Sequence, residues 1–320
     1  MALPQQWLMS PTSRDVEEAA RRLGGRVRRT PVLTSESLNT LTGAQLWFKC
    51  EHLQKTGAFK FRGATNAVVT LPADLARHGV ATHSSGNHGA ALACAARAAG
   101  IRAYIVVPED VSATKLANIE RYGGQVRLCE ANLAARESML DAVVEETGAT
   151  FVHPYDNAAV IAGQGTATLE LIGEVGALDA VVTPVGGGGL LAGAVLAAPP
   201  GMEVYGAEPL GADDAARSFA SGVRVTDHAP DTVCDGLRTL LGVLNFDIIA
   251  ERCASIVTAS DAESLAAMRL IWSILKQLVE PSAAVTLAAI LKDRDRFAGR
   301  RVGVVLSGGN ADPASFSGAP

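Results

Sequence analysis

Apolar residues fall along this chain in two alternating patterns: short, nearly unbroken runs, and longer segments where they recur at helical spacing. The short runs predict strands at Gln45–Lys49, Val80–Ser84, Ala103–Val107, Gln125–Leu128, Thr150–Val152, Ala180–Thr183, Glu203–Ala207 and Arg301–Leu306. The periodic segments predict helices at Asp15–Leu23, with Ser13 as N-cap, and at Gly89–Ala99, Ser112–Tyr122 and Asn132–Glu146. Further helices are expected at Gly165–Val175, Leu190–Ala197, Asp261–Leu278 and Ser282–Leu291. Pro108 stops one strand, and Gly123-Gly124 stops one helix. The region between Ala207 and Asp261 reads as loop-rich, and Ala311–Pro320 as a frayed tail. No fixed-period repeat or low-complexity linker interrupts the alternation.

Strands alternating with helices point to an α/β fold of parallel-rich sheets flanked by helices. The strands are almost wholly apolar, as parallel strands buried on both faces require. In such sheets ligands bind outside the carboxyl ends of the strands. The polar and glycine-rich stretches at those ends are therefore where chemistry is expected.

Composition narrows the function classes. A chain of 320 residues, 48% hydrophobic, buries one large domain or two. Net charge is −5 with no basic stripe, so neither nucleic acid nor an anionic membrane surface is an expected partner. Small anions stay open, because a local site can bind them against an acidic total. No unbroken apolar stretch reaches the ~18 residues of a membrane span. Met1 to Ser13 lacks the basic and apolar regions of a signal peptide. The five cysteines are irregularly spaced with no C-x-x-C pair, as in a reduced cytoplasmic protein without a zinc site.

Four stretches carry candidate chemistry. Gly186-Gly187-Gly188-Gly189 lies between a strand and a helix, where bare backbone N–H groups and a helix N-terminus suit a phosphate. The Lys-Ser/Thr ending of a nucleotide P-loop is missing. Lys60 sits between Phe59 and Phe61 in G-A-F-K-F-R-G-A; apolar surroundings lower a lysine pKa and expose an amine nucleophile. Alone, Lys60 reads more readily as a surface lysine at a helix start. Ser84-Ser85-Gly86-Asn87-His88 enters a helix and suits a carboxylate, or is a plain capped start, with His88 more structural than basic. Ser307-Gly308-Gly309-Asn310 ends the last strand, either as a site or as a turn.

Together, and in this order, the stretches resemble the fold-type II pyridoxal phosphate (PLP) enzymes, the tryptophan synthase β family. The nearest branch is that of serine/threonine dehydratases and serine racemases. The likeness runs from about Thr30 to Asp312 and includes R-R-T-P-V, F-V-H-P-Y-D, V-I-A-G-Q-G-T and V-E-P-S-A-A.

The resemblance implies two domains: a large PLP-binding one (1–70 and 155–320) and a small mobile one (71–154). It implies a Schiff base of PLP on Lys60, Phe59 near the ring, Asn87 on the ring hydroxyl, Gly186 to Gly189 around the phosphate and Ser307 at the pyridine nitrogen. A serine there makes the ring a weak electron sink, suited to elimination. Ser84, Ser85, Asn87 and His88 would line the substrate carboxylate site, and Ser85 matches the serine that racemases use on the opposite face. Glu208, the Ala212 carbonyl and Asp214, in A-E-P-L-G-A-D-D, match a divalent-cation site for Mg²⁺, Ca²⁺ or Mn²⁺. Arg136 and Arg238 are candidates to hold a second substrate carboxylate. Tyr155 stands where racemases carry asparagine, which weighs against that reading.

The implied reaction is ammonia-lyase chemistry on a small β-hydroxy amino acid of the serine/threonine type. The alternatives are a 3-hydroxyaspartate ammonia-lyase, a serine racemase or a non-catalytic PLP-binding protein. A homodimer is implied by the family alone.

Overall fold

A computed structural model describes Pro4, Trp7 and residues 9–312; of the tail expected over Ala311–Pro320, residues 313–320 lie outside the described residues. Among the described residues ten strands form two sheets: β1 Val32–Leu33, β2 Gln45–Lys49, β3 Val80–His83, β4 Ala103–Pro108, β5 Gln125–Cys129, β6 Thr150–Phe151, β7 Ala180–Pro184, β8 Glu203–Pro209, β9 Ser255–Ala259 and β10 Arg301–Val305. The larger sheet has the order β1-β2-β10-β7-β8-β9, and the smaller β5-β4-β3-β6. Every pairing is parallel except β1 with β2. The fold is therefore α/β with parallel-rich sheets.

The apolar runs predicted this arrangement because β7, β8, β10 and β4 are buried along nearly their whole lengths. The helix Pro281–Lys292 packs a core on one face of the larger sheet. The helices Ala158–Val175 and Gly189–Ala197 cover the other face. Close approach of helices sets the position of Lys60. A Cβ on Gly163 would lie 2.6 Å from the Cα of Gly63, so the helix Lys60–Val69 meets its neighbour backbone to backbone.

Several expectations need correction. Thr12, not Ser13, caps the first helix, with Asp15 completing a capping box. The helix expected from Gly165 begins at Ala158 and is capped by Asn157. The helix expected to reach Leu278 is α-helical only over Asp261–Leu270; it continues as a π-turn over Ile271–Leu275 and ends at Lys276 with φ 57°. The supposed loop between Ala207 and Asp261 holds the helices Asp214–Ser221 and Val243–Arg252 as well as β9.

Candidate active site

The carboxyl ends of β3, β6, β7 and β10 open into one cleft of about 660 Å³. Each end delivers one of the stretches singled out in the sequence. Lys60, Phe59, Ser84, Ser85, Asn87, His88, Arg136, Tyr155, Gly186 to Gly189, Asp214, Arg238 and Ser307 all line it. Glu208 and Ala212 do not.

Lys60 is held by the exit of β10. The Phe59 N–H donates to the Ser307 carbonyl at 2.9 Å, and Ala58 bridges Gly308. Residues some 250 positions apart are thus stitched together at the start of the Lys60 helix. Lys60 Nζ donates to the Pro154 carbonyl at 2.9 Å and lies 5.2 Å from the Phe59 ring centre and 5.8 Å from that of Tyr155. Burial lowers its pKa from 10.5 to about 8, since an enclosed ammonium loses hydration. Its recorded partner is a neutral carbonyl, so the amine is open to an electrophile.

The glycine loop leads into the buried helix Gly189–Ala197, which has no side-chain cap. Its first-turn N–H groups therefore face the cleft as an anion site. Gly188 takes φ +90°, and a Cβ on Gly187 would lie 2.3 Å from Tyr155 Cγ. The Gly187 carbonyl accepts from Asn245 Nδ2 at 2.6 Å and from the Gly242 N–H at 3.1 Å, which keeps the loop in this path.

Across the cleft, the helix Asn87–Ala98 begins at Gly86, also without a side-chain cap. Asn87 Nδ2 donates to Glu280 at 3.0 Å, and its Oδ1 accepts from Asn310 Nδ2 at 2.8 Å, which fixes the amide orientation. Glu280 is buried, and desolvation raises its pKa to about 7. The His88 ring is directed to the Val152 carbonyl at 3.2 Å, and burial holds its pKa well below the usual imidazole range. The structural reading of His88 suits that contact.

The cations at the cleft mouth differ in their commitments. Lys115 pairs with Asp235 at 2.6 Å. Arg238 spends Nε and Nη2 on the Thr232 carbonyl. Arg136 Nε is buried with no hydrogen-bond partner among the described residues. Of the two arginines expected to read a second carboxylate, only Arg136 has this unsatisfied donor.

Glu208 is fully buried and accepts the N–H groups of Ala215 and Ala216 at 3.0 and 2.8 Å, while Asp214 accepts that of Leu241 at 2.8 Å. Loss of water on burial raises both carboxyl pKa values, and the charge of Asp214 raises that of Glu208 further. A cation held between them would offset that burial cost, as protonation also would. Among the described residues no three His, Cys, Asp or Glu side chains form a metal cluster, so a carbonyl such as that of Ala212 would be needed.

Sequence reasoning gave no role to Glu280, Asn310, His153, Asp156 or Asn245. Glu280 had one signal, an acid just before the proline that opens a largely apolar helix. Asn310 reaches the Asn87 amide 223 residues away, and the others act through backbone contacts; no local pattern reveals either.

The pyridoxal-phosphate-dependent enzyme family model matches residues 24–308, and the chain belongs to that family. The serine racemase of Dictyostelium discoideum is 48% identical over 313 residues, covering 96% of this chain and 97% of that protein. The beta-hydroxyaspartate dehydratase of Paracoccus denitrificans is 50% identical over 305 residues, covering 94% and 97%. The solved structure of maize serine racemase superposes with a TM-score of 0.94 at 40% identity, covering 96% of each chain. The protein is a PLP-dependent enzyme. The cleft fits the cofactor: a low-pKa lysine, an uncapped helix N-terminus for the phosphate and a buried serine sit around one space.

Proposed function

We propose that this enzyme is an ammonia-lyase that converts a small β-hydroxy amino acid to a 2-oxo acid and ammonia. The observation that carries this reading is Lys60, a buried, low-pKa amine in a cleft that is also lined by the uncapped N-terminus of the Asn87 helix. PLP, when bound, withdraws electrons from the amino acid and so acidifies its Cα proton. The neutral Lys60 amine takes that proton, and the Pro154 carbonyl orients it. N–H groups of Gly186 to Gly189 hold the phosphate, Ser307 meets the ring nitrogen, Asn87 the ring hydroxyl, and Phe59 lies beside the ring. Ser84, Ser85 and the start of the Asn87 helix hold the α-carboxylate. Ser85 is assigned to the opposite face, which is the racemase alternative.

The unsatisfied Arg136 donor favours 3-hydroxyaspartate over serine or threonine. The relationship to a beta-hydroxyaspartate dehydratase supports the same choice. Residues 71–154 form the small domain and close over substrate. Glu208, Asp214 and the Ala212 carbonyl hold Mg²⁺ or a similar ion. The exposed Leu53 and Leu278 suit a homodimer contact, and five free cysteines suit the cytoplasm.

Ammonia release from serine, threonine and 3-hydroxyaspartate, with and without Mg²⁺ and with chiral analysis of the remaining amino acid, tests these points together. The diacid should win in kcat/KM by about tenfold or more, the order of one charge-assisted pair, and Arg136→Met should erase that preference. Equal rates for the three substrates would remove the diacid reading. Loss of chirality without ammonia would make the enzyme a racemase.

A further inference from the structure

The turn after β6, in the F-V-H-P-Y-D stretch, carries a histidine that the chemistry above leaves unused. His153 Nδ1 accepts the Tyr155 N–H at 3.3 Å and the Asp156 N–H at 2.8 Å. A ring nitrogen facing two N–H donors must carry a lone pair, so the ring is neutral with its proton on Nε2. The Tyr155 N–H and the Pro154 carbonyl belong to one peptide unit. That unit is planar and trans, so its N–H and C=O point in opposite directions. The N–H goes to His153, and the carbonyl accepts from Lys60 Nζ at 2.9 Å.

We propose that His153 is a positioning residue for Lys60: by accepting the Tyr155 N–H, it fixes the peptide plane whose carbonyl orients the Lys60 amine. This rests on the reading of Lys60 as the Cα base.

Other contacts hold the ring in place for this task. His153 packs edge-on against Tyr155 at 4.6 Å and against Phe151 at 5.5 Å, with the His83 ring at 6.3 Å. Burial, then the nearby His83 of β3 and Lys60, push its pKa down to about 3, so the lone pair persists at neutral pH. Asp156 is the acid of the same turn, and its carboxylate accepts the N–H groups of Val243 and Leu244, both at 2.9 Å. The Tyr155 ring supports Gly187. One imidazole nitrogen therefore coordinates the base and the support of the phosphate loop.

Three variants of the full-length, PLP-loaded protein separate this role from mere packing. Asparagine offers a carbonyl oxygen near the reach of Nδ1, glutamine offers one a methylene further out, and phenylalanine keeps the ring without an acceptor. His153→Asn should keep kcat for ammonia release within about twofold of the parent, while His153→Gln and His153→Phe lose about tenfold with KM little changed, since a small misplacement of a reacting group is costly. Nitrogen-15 histidine spectra of the parent should show the Nε2–H tautomer with Nδ1 unprotonated at pH 7. Equal effects of asparagine and glutamine, or a proton on Nδ1, would overturn the proposal. If the parent released no ammonia from any substrate, the base reading would fall, and the tautomer would still decide the role of His153.

Discussion

At the scale of the residue, Lys60 shows how environment rather than identity makes a nucleophile. Its pKa falls from 10.5 to about 8 through burial, with no cationic neighbour needed. The shift favours the neutral amine, so the reactive fraction is half at about pH 8, nearly full a unit or more above it, and falls steeply below it. PLP capture by the cofactor-free protein, followed by absorbance on mixing, should therefore rise with pH with its midpoint near 8 and level off above that. An inflection near the ordinary lysine value would show that the amine is solvated. Lys60 was legible only through its company: one lysine between two phenylalanines is ambiguous, and the glycine loop, the Ser84–His88 loop and Ser307 gave it meaning. Glu280 and His153 were less legible because their partners are an amide 193 residues away and a pair of backbone N–H groups.

At the scale of the element, strands such as β4, β7 and β10 were legible because they are buried on both faces and run almost wholly apolar. The helices Asp214–Ser221 and Val243–Arg252 were missed for a related reason. Each is short, and their N-termini are satisfied by distant carboxylates rather than by a local cap: Glu208 serves the first and Asp156 the second. A capping signal several residues or a whole domain away cannot be read along the chain. The glycine loop was legible as a phosphate cradle, but the sequence did not say why its second glycine must be glycine. A Cβ at Gly187 meets Cγ, Cδ1 and Cδ2 of Tyr155, all within 2.5 Å. Gly187→Ala must displace that ring and the loop with it, an overpacking worth about 1–3 kcal/mol. PLP affinity, titrated by absorbance, should weaken about tenfold or more, in line with that energy. An unchanged affinity would mean that the ring moves freely and does not support the loop.

At the scale of the molecule, the helix that begins with Lys60 must be fixed to the larger sheet, and a buried ionic cluster fixes it. Arg62 and Glu51 are both fully buried, and the guanidinium makes paired hydrogen bonds to Glu51 at 2.7 Å and to Glu170 at 2.8 Å. Lys49, also fully buried, joins Glu170 at 2.8 Å, and the Thr30 hydroxyl donates to Glu51 at 2.5 Å. The cluster holds two cations and two acids, so each charge is matched. Replacing Arg62 with methionine leaves Glu51 buried without a counter-charge, a loss of about 3–5 kcal/mol. Glu170 keeps Lys49 in that variant, so the damage concentrates on Glu51. Adding Glu51→Gln removes the stranded charge and should return part of the stability, because an absent buried pair costs less than a broken one. Melting temperatures of the parent, Arg62→Met and the double variant test this. The single variant should melt lowest, and the double between it and the parent. If the double variant melted no higher than the single, Arg62 would contribute mainly by packing, and the ionic cluster would not be what anchors the Lys60 helix to the sheet.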